Sequence, residues 1–213
     1  MKLQLALDLV TFEEAVAIIS ESKEFIDIIE IGTPLIIKEG ISIVKRIHDL
    51  FPDKIILADV KIMDGGKEEA TYAFDAGADI VTVLAAAEDA TISNVVKIAR
   101  VRGKKTMADM IAVRDIIARA SQIDLLGVDY LCVHTAFDIQ YTQKNPLDEL
   151  LLLQSVISKS KTAVAGGVNL KTAPETIRSK PEIIIVGGAI TSSTNKKETA
   201  ATFKRMIDEM QGE

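Results

Sequence analysis

Short apolar runs alternate with segments of helical periodicity along the whole chain of 213 residues. The runs are rich in Ile, Val and Leu and mostly lack polar alternation, which is typical of strands that are buried on both faces of a sheet. They predict eight strands: Leu3–Leu9, Ile26–Ile31, Lys54–Val60, Ile80–Leu84, Lys105–Met110, Tyr130–His134, Thr162–Ala165 and Ile183–Val186.

Helical segments lie between these strands. The first begins after Thr11, because Thr11 and Glu14 have the spacing of a capping box. Gly77 and Gly127 each stand just before a predicted strand, as expected for glycines that end helices. The remaining helices are predicted over Pro34–Leu50, Lys67–Ala76, Ala90–Arg102, Asp115–Leu126, Pro146–Lys159, Ala173–Ser179 and Lys196–Met210.

Eight successive strand–helix units predict a parallel sheet covered by helices, and eight is the number that closes a (β/α)8 TIM barrel. An open, doubly wound sheet is the alternative. It would need a glycine-rich phosphate fingerprint after the first strand, and Asp8-Leu9-Val10-Thr11 is not one. No linker or change of composition divides the chain. We therefore expect an α/β fold with a single barrel domain over residues 1–213.

Composition narrows the classes of function. Hydrophobic residues make up 48% of the chain, the net charge is −6 and there is no Trp, so neither a basic stripe nor a base-stacking surface suggests a nucleic-acid partner. The single cysteine, Cys132, excludes an internal disulfide and is interpreted as a small buried hydrophobe. No apolar run approaches membrane-spanning length and the N-terminus lacks a signal-peptide pattern, so we expect a cytoplasmic protein with no membrane partner.

Polar side chains follow five of the predicted strands at their C-terminal ends, whereas we expect no such cluster at the N-terminal ends. Because the active sites of TIM barrels lie at the C-terminal face, we interpret these side chains as one functional site. A strand-end ion pair would account for Asp59 and Lys61 taken alone, but not for the whole set. The set is Asp8, Glu30, Asp59, Lys61, Asp109 and His134.

The residue types favour metal-assisted chemistry on adjacent substrate oxygens. Glu30 and Asp59 offer oxygen ligands that suit Mg²⁺, with Mn²⁺ possible, and they suit zinc poorly. Such a metal stabilises an enediolate, and Lys61 would add a cationic donor to the same developing charge. His134 is the expected proton carrier near neutral pH, whereas His48 falls within a helix and is interpreted as a surface residue.

Two glycine pairs supply the other half of the predicted site. Gly166 and Gly167 follow the seventh strand, and Gly187 and Gly188 follow the eighth. TIM barrels often bind phosphate with the loops after these two strands, where glycine lets the backbone approach closely. The substrate is therefore expected to carry one phosphate and a carbonyl or vicinal hydroxyls. The polar segment Ala136–Asn145 could close over the site.

The motif Asp59-x-Lys61-x-x-Asp64 after a barrel strand resembles the orotidine 5′-monophosphate decarboxylase superfamily, and Leu5-Ala6-Leu7-Asp8 and the two glycine loops agree with it. Within that superfamily the whole chain resembles the 3-hexulose-6-phosphate synthases. The stretches that carry this resemblance are Leu3–Leu9, Glu30–Pro34, Lys61–Gly66, Gly127–Tyr130, Val133–Thr135 and Val186–Thr191.

The resemblance implies a homodimeric, Mg²⁺-dependent aldehyde-lyase. Such an enzyme joins formaldehyde to D-ribulose 5-phosphate, giving D-arabino-hex-3-ulose 6-phosphate, and runs the reverse cleavage. Glu30 and Asp59 would be the metal ligands. Lys61 would bind the enediolate edge, and His134 would take and return a proton at substrate carbon 1.

The same resemblance implies roles for the remaining site residues. Asp64 would enter the active site of the neighbouring subunit, so that each site straddles the dimer interface. Asp8 would bind substrate hydroxyls or orient Lys61. The phosphate cradle would consist of Gly166, Gly167, Gly187 and Gly188.

Three alternatives stay open. The sister enzyme, 3-keto-L-gulonate 6-phosphate decarboxylase, forms a similar enediolate, but four positions resemble the synthases instead: Asp109, Phe137, Ala165 and Gly188. Orotidine 5′-monophosphate decarboxylase carries a further lysine ahead of the motif, and the nearest candidate, Lys54, begins its strand at the far end. A non-catalytic sugar-phosphate-binding protein would show a ligand-induced thermal shift without turnover.

Overall fold

The computed structural model describes residues 1–138 and 146–211. Each strand pairs in parallel with the next, and the last pairs with the first, so the sheet closes into a barrel. The predicted fold class, a single-domain (β/α)8 TIM barrel, is confirmed. The strands are β1 (Lys2–Leu7), β2 (Ile28–Ile31), β3 (Ile55–Ile62), β4 (Ile80–Leu84), β5 (Lys105–Asp109), β6 (Tyr130–His134), β7 (Lys161–Ala165) and β8 (Ile183–Val186).

Helices surround the barrel. The capping box at the start of the first helix is confirmed, since Thr11 Oγ1 accepts from the Glu14 N–H and the Glu14 carboxylate accepts from the Thr11 N–H. The helices are α1 (Phe12–Ser22), α2 (Thr33–Glu39), α3 (Ser42–Leu50), α4 (Gly66–Asp75), α5 (Asp89–Val101), α6 (Ile116–Leu126), α7 (Pro146–Val156), α8 (Ala173–Arg178), α9 (Gly188–Thr191) and α10 (Lys196–Gln211).

The single helix expected over Pro34–Leu50 is wrong. The chain forms two helices there, because Gly40 adopts a φ of 76° that a helix does not accommodate. Short α9 directly after β8 was also not predicted.

Side chains alternate between the two faces of each strand, as the pleat requires. Leu3, Leu5 and Leu7 of β1 pack outward against the helices, whereas Gln4 and Ala6 point into the barrel. Cys132 lies inside the barrel and is buried, as expected. An apolar cluster that includes Ile28, Leu57 and Met107 fills the barrel interior beneath the polar residues of the C-terminal face.

Charged residues also occupy the N-terminal ends of the strands, contrary to expectation. Asp27, Asp79 and Asp129 each stand just before an even-numbered strand, and each accepts a hydrogen bond from a backbone N–H at the start of the preceding odd-numbered strand. Lysines pair with them, for example Lys104 with Asp79 at 2.7 Å. These aspartates are spread around the rim and join neighbouring strands, so they form a structural device rather than a converging site.

Across the described ranges, we find no helix with the length and apolar character needed to span a membrane.

Candidate active site

One large cavity, of about 1170 Å³, opens at the C-terminal ends of the strands. Residues from all eight strands or the loops that follow them line it, which is the usual arrangement in this fold. Ten of the predicted site residues lie on its wall: Asp8, Glu30, Asp59, Lys61, Asp109, His134, Gly166, Gly167, Gly187 and Gly188. The discriminating positions Phe137 and Ala165 line it as well.

The end of β3 is irregular where it carries the charged residues. Ala58 pairs with Val81 and Ile62 pairs with Val83, so β3 contains a bulge between them. Within the bulge Lys61 has a φ of 48°, a left-handed conformation that is unfavourable for a residue with a side chain. Asp59 and Lys61 are two residues apart and both face the cavity, where they form an ion pair.

The Lys61 ammonium lies between two carboxylates. Its Nζ is 2.5 Å from Asp59 Oδ2 and 3.2 Å from Asp109 Oδ2. Burial alone would lower the pKa of Lys61, but the charges of Asp59 and Asp109 outweigh burial and raise it above the ordinary value. Lys61 is therefore a fixed cation over the physiological pH range.

Asp109 also binds the site histidine. His134 Nδ1 lies 2.8 Å from Asp109 Oδ2, while the other carboxylate oxygen of Asp109 accepts from the Ile111 N–H. Although burial raises the pKa of Asp109, the hydrogen bond and charge of His134, with help from Lys61, lower it below the ordinary value. A carboxylate at Nδ1 favours the tautomer that carries its proton there, so Nε2 is left to exchange protons with a substrate.

Glu30 is a buried carboxylate whose negative charge is offset by few nearby groups. It is 8% exposed, and Gln4 Nε2 donates a hydrogen bond of 2.6 Å to its Oε2. Burial and then the negative charges of Asp59 and Asp8 raise the pKa of Glu30 well above its ordinary value. Among the residues that the structure describes, no lysine, arginine or histidine lies within ion-pair distance of it.

Asp8 stands directly after β1, beside the glycines of two other strands. Its carboxylate lies so close over Gly32 that a side chain at that position would collide with it, and Gly187 approaches it from the opposite side. Burial, followed by the charge of Asp59, raises the pKa of Asp8. Lys61 contacts Asp59 and Asp109 rather than Asp8.

The two glycine pairs border the same cavity from β7 and β8. Gly166 and Gly167 have φ values of 90° and 75°, and a side chain at Gly166 would collide with the Thr135 backbone. Gly167 and Gly188 face open space. The backbone is thus exposed to any group that enters the cavity at this side.

Asp64 is the predicted site residue that the structure does not bring to the cavity. It is exposed beyond the end of β3, where its Oδ1 accepts from the Gly65 N–H. The predicted closing segment Ala136–Asn145 falls largely outside the described residues, which end at 138 and resume at 146.

Three polar side chains that contact Glu30 or Asp59 were not predicted from the sequence. Gln4 donates a hydrogen bond to the Glu30 carboxylate. Thr33 Oγ1 donates to the backbone oxygen of Asp59 at 2.7 Å and to Asp59 Oδ2 at 2.9 Å. Thr82 Oγ1 lies 2.7 Å from Asp59 Oδ1. Gln4 and Thr82 stand within otherwise apolar runs at positions whose alternation points into the barrel, and that alternation was the available signal.

Comparison with known proteins places this site in a family. The family model of the Orotidine 5'-phosphate decarboxylase / HUMPS family matches residues 1–203. The chain belongs to this family. The resemblance indicated by the motif around Asp59 and Lys61 is thereby confirmed.

Family members of the same length are similar from end to end. A protein of Bacillus subtilis named 3-hexulose-6-phosphate synthase is 51% identical over 207 residues, which cover 97% of this chain and 99% of that protein. The crystal structure of a 3-hexulose-6-phosphate synthase from Salmonella typhimurium has a TM-score of 0.96 at 40% identity, covering 98% of this chain and 99% of that one.

The sister activity is represented by a more distant structure. A 3-keto-L-gulonate-6-phosphate decarboxylase from Vibrio cholerae has a TM-score of 0.84 at 29% identity, covering 98% of this chain and 97% of that one. The barrel is therefore common to both kinds of enzyme, and the fold alone does not decide between them.

Proposed function

We propose that this chain is a Mg²⁺-dependent 3-hexulose-6-phosphate synthase. It would condense formaldehyde with D-ribulose 5-phosphate to D-arabino-hex-3-ulose 6-phosphate and run the reverse cleavage. The observation that carries the proposal is the convergence of two buried carboxylates, a fixed ammonium and an Asp–His pair on one cavity wall, in a chain 51% identical to a protein of that name.

The donor set at Glu30 and Asp59 fits a hard divalent cation. Both carboxylates are buried, and burial, followed by the negative charges of Asp59 and Asp8, raises the pKa of Glu30. A bound cation would offset both effects. No group of three or more His, Cys, Asp or Glu side chains suited to a metal occurs in the described part of the chain. Two protein ligands leave the remaining positions to water and substrate oxygens, which Mg²⁺ commonly retains. When bound, Mg²⁺ would neutralise part of the charge that develops as an enediolate forms.

Lys61 and His134 would perform the remaining chemistry. His134 Nε2 takes a proton from carbon 1 of ribulose 5-phosphate while Asp109 holds Nδ1–H. The Lys61 ammonium donates to the enediolate oxygen that develops. Carbon 1 then forms a bond to the carbonyl carbon of formaldehyde as the carbonyl π bond breaks, and the resulting alkoxide oxygen takes the proton held by His134 to become the product hydroxyl.

The other groups would hold the substrate. Asp8 accepts from substrate hydroxyls, a role that its position between Gly32 and Gly187 supports better than an orienting role on Lys61. The glycine loops after β7 and β8 offer exposed backbone N–H groups to the phosphate. Homodimerisation, with Asp64 reaching a neighbouring site, is also part of the proposal and agrees with the exposure of Asp64 away from its own cavity.

The direct test measures formaldehyde consumption by the purified protein with ribulose 5-phosphate and Mg²⁺, beside CO₂ release from 3-keto-L-gulonate 6-phosphate. We expect fast loss of formaldehyde, little CO₂, and no turnover in excess EDTA. Predominant CO₂ release would mean that Asp109, Phe137, Ala165 and Gly188 do not select the synthase reaction. A thermal shift with ribulose 5-phosphate but no turnover in either assay would favour a binding protein.

A further inference from the structure

Thr82 on β4 joins two residues of the proposed site through one hydroxyl. Its Oγ1 donates to Asp59 Oδ1 at 2.7 Å and accepts from the backbone N–H of Lys61 at 2.9 Å. A threonine hydroxyl has one proton and two lone pairs, so it satisfies both partners at once. The side chain is 3% exposed, and water therefore cannot easily replace it.

The contact to Lys61 lies inside the β3 bulge. Ordinary pairing between β3 and β4 is interrupted from Ala58 to Ile62, and Lys61 there has a φ of 48°. A left-handed conformation costs free energy for a residue with a Cβ and persists only where its surroundings fix it. The Thr82 hydroxyl supplies the acceptor that the interrupted β-ladder does not give to the Lys61 N–H.

We infer that Thr82 is a positioning residue for both Asp59 and Lys61. It orients the Asp59 carboxylate and holds the backbone of the bulge at Lys61, whose side chain faces the cavity. Deleting the hydroxyl leaves a carboxylate oxygen and a backbone N–H without this partner, a loss that a well-packed apolar replacement does not restore. The inference rests on the proposed function for the roles of Asp59 and Lys61, and it adds a residue that never needs to touch the substrate.

Substitutions at Thr82 separate the hydroxyl from the shape of the side chain. Thr82→Val keeps the shape of the side chain and removes the hydroxyl, whereas Thr82→Ser keeps the hydroxyl. Thr82→Ala also removes the hydroxyl, and it serves if the valine variant fails to fold, because the smaller alanine side chain fits the same space. Thr106→Val is the matched control. Thr106 is a fully buried threonine on the next strand, and its hydroxyl contacts Asp129 at the opposite end of the barrel.

The readouts are kcat, KM for ribulose 5-phosphate, the Kd for Mg²⁺ from calorimetry, and Tm. We expect Thr82→Val and Thr82→Ala to lower kcat at least tenfold and to weaken Mg²⁺ binding at least tenfold, with KM changed less than about threefold. Thr82→Ser should restore both quantities to within about threefold of the unmodified chain. Thr106→Val should lower Tm and leave kcat and the Mg²⁺ Kd unchanged.

A purely structural role gives a different pattern. The inference is overturned if Thr82→Val and Thr106→Val lower Tm alike while kcat and the Mg²⁺ Kd stay at their original values, or if Thr82→Ser is as impaired as Thr82→Val. Absence of synthase turnover by the unmodified chain would overturn the proposed function instead. The Mg²⁺ Kd values of the same variants would then decide the role of Thr82 without any activity measurement.

Discussion

At the scale of the residue, the Asp109–His134 contact determines which nitrogen of the histidine acts. We expect Asp109→Asn to keep the volume of the side chain but to lose the charge that holds Nδ1–H. kcat should fall by about 10²- to 10⁴-fold with a small change in KM, as for other oriented histidine bases. Asp53→Asn, at an exposed turn, is the control and should keep full activity. Steady-state kinetics would contradict the role if Asp109→Asn retained more than a tenth of kcat.

The glycine loops give a second residue-scale prediction. Gly188 faces open cavity space without positive φ, so Gly188→Ala should leave Tm unchanged and raise the KM for ribulose 5-phosphate if phosphate approaches that backbone. Gly166→Ala should instead lower Tm as well, because its φ of 90° and the Thr135 backbone oppose a Cβ. Equal KM values for Gly188→Ala and the unmodified chain would remove Gly188 from the phosphate cradle.

The sequence predicted the charged residues of the site better than the uncharged residues that hydrogen-bond to them. The charged residues at the strand ends, such as Glu30, Asp59 and Asp109, stand out in the sequence because they follow or interrupt apolar runs. Thr82 and Gln4 did not stand out, since a threonine or glutamine in a strand has many ordinary explanations. The left-handed conformation of Lys61 could not be predicted, because it depends on pairing between β3 and β4 and not on the identity of the residue.

At the scale of elements, Asp124 joins the end of α6 to the turn before β7. It is 3% exposed and accepts from the backbone N–H groups of Ser158, Lys159 and Ser160 at 2.7–3.1 Å. Burial raises its pKa, but these donors outweigh burial and lower the pKa of Asp124 to about 2. Because the folded-state pKa lies below the unfolded value of about 3.9, the contribution of Asp124 to stability is complete above about pH 5 and is lost as the pH falls through about 2.

We therefore expect Asp124→Asn to lower the free energy of unfolding by about 1–2 kcal/mol at pH 7. The difference from the unmodified chain should narrow as the pH is lowered from 5 to 3, and urea titrations at several pH values would measure it. Asp53→Asn is the matched control and should change stability by less than about 0.5 kcal/mol. A difference that stays constant or widens on acidification would show that the ionised carboxylate is not the source.

The elements themselves were largely predictable, and the exceptions have local causes. All eight strands follow the apolar runs, because strands buried on both faces have no polar alternation to obscure them. The break at Gly40 was missed because helical periodicity continues on both sides of it. The aspartates at the N-terminal ends were missed because residues such as Asp79 resemble ordinary turn residues until the neighbouring strand is in place.

At the scale of the whole molecule, the proposed dimer places Asp64 of one subunit in the site of the other. Asp64→Ala and His134→Ala should each be inactive alone. After unfolding and refolding together in equal amounts, about half of the dimers would be mixed, and each mixed dimer would contain one intact site. We expect recovery of about a quarter of the activity. No recovery, with mixed dimers detected by mass spectrometry, would contradict a shared site.

The central claim is that the cavity forms an enediolate from ribulose 5-phosphate, with His134 as the base. Solvent deuterium incorporation at carbon 1, followed by NMR in D₂O without formaldehyde, tests this step separately from the rest of the reaction. The account predicts exchange with Mg²⁺, which His134→Ala abolishes and EDTA suppresses. Absence of exchange in the unmodified chain, or exchange at an unchanged rate in His134→Ala, would contradict it.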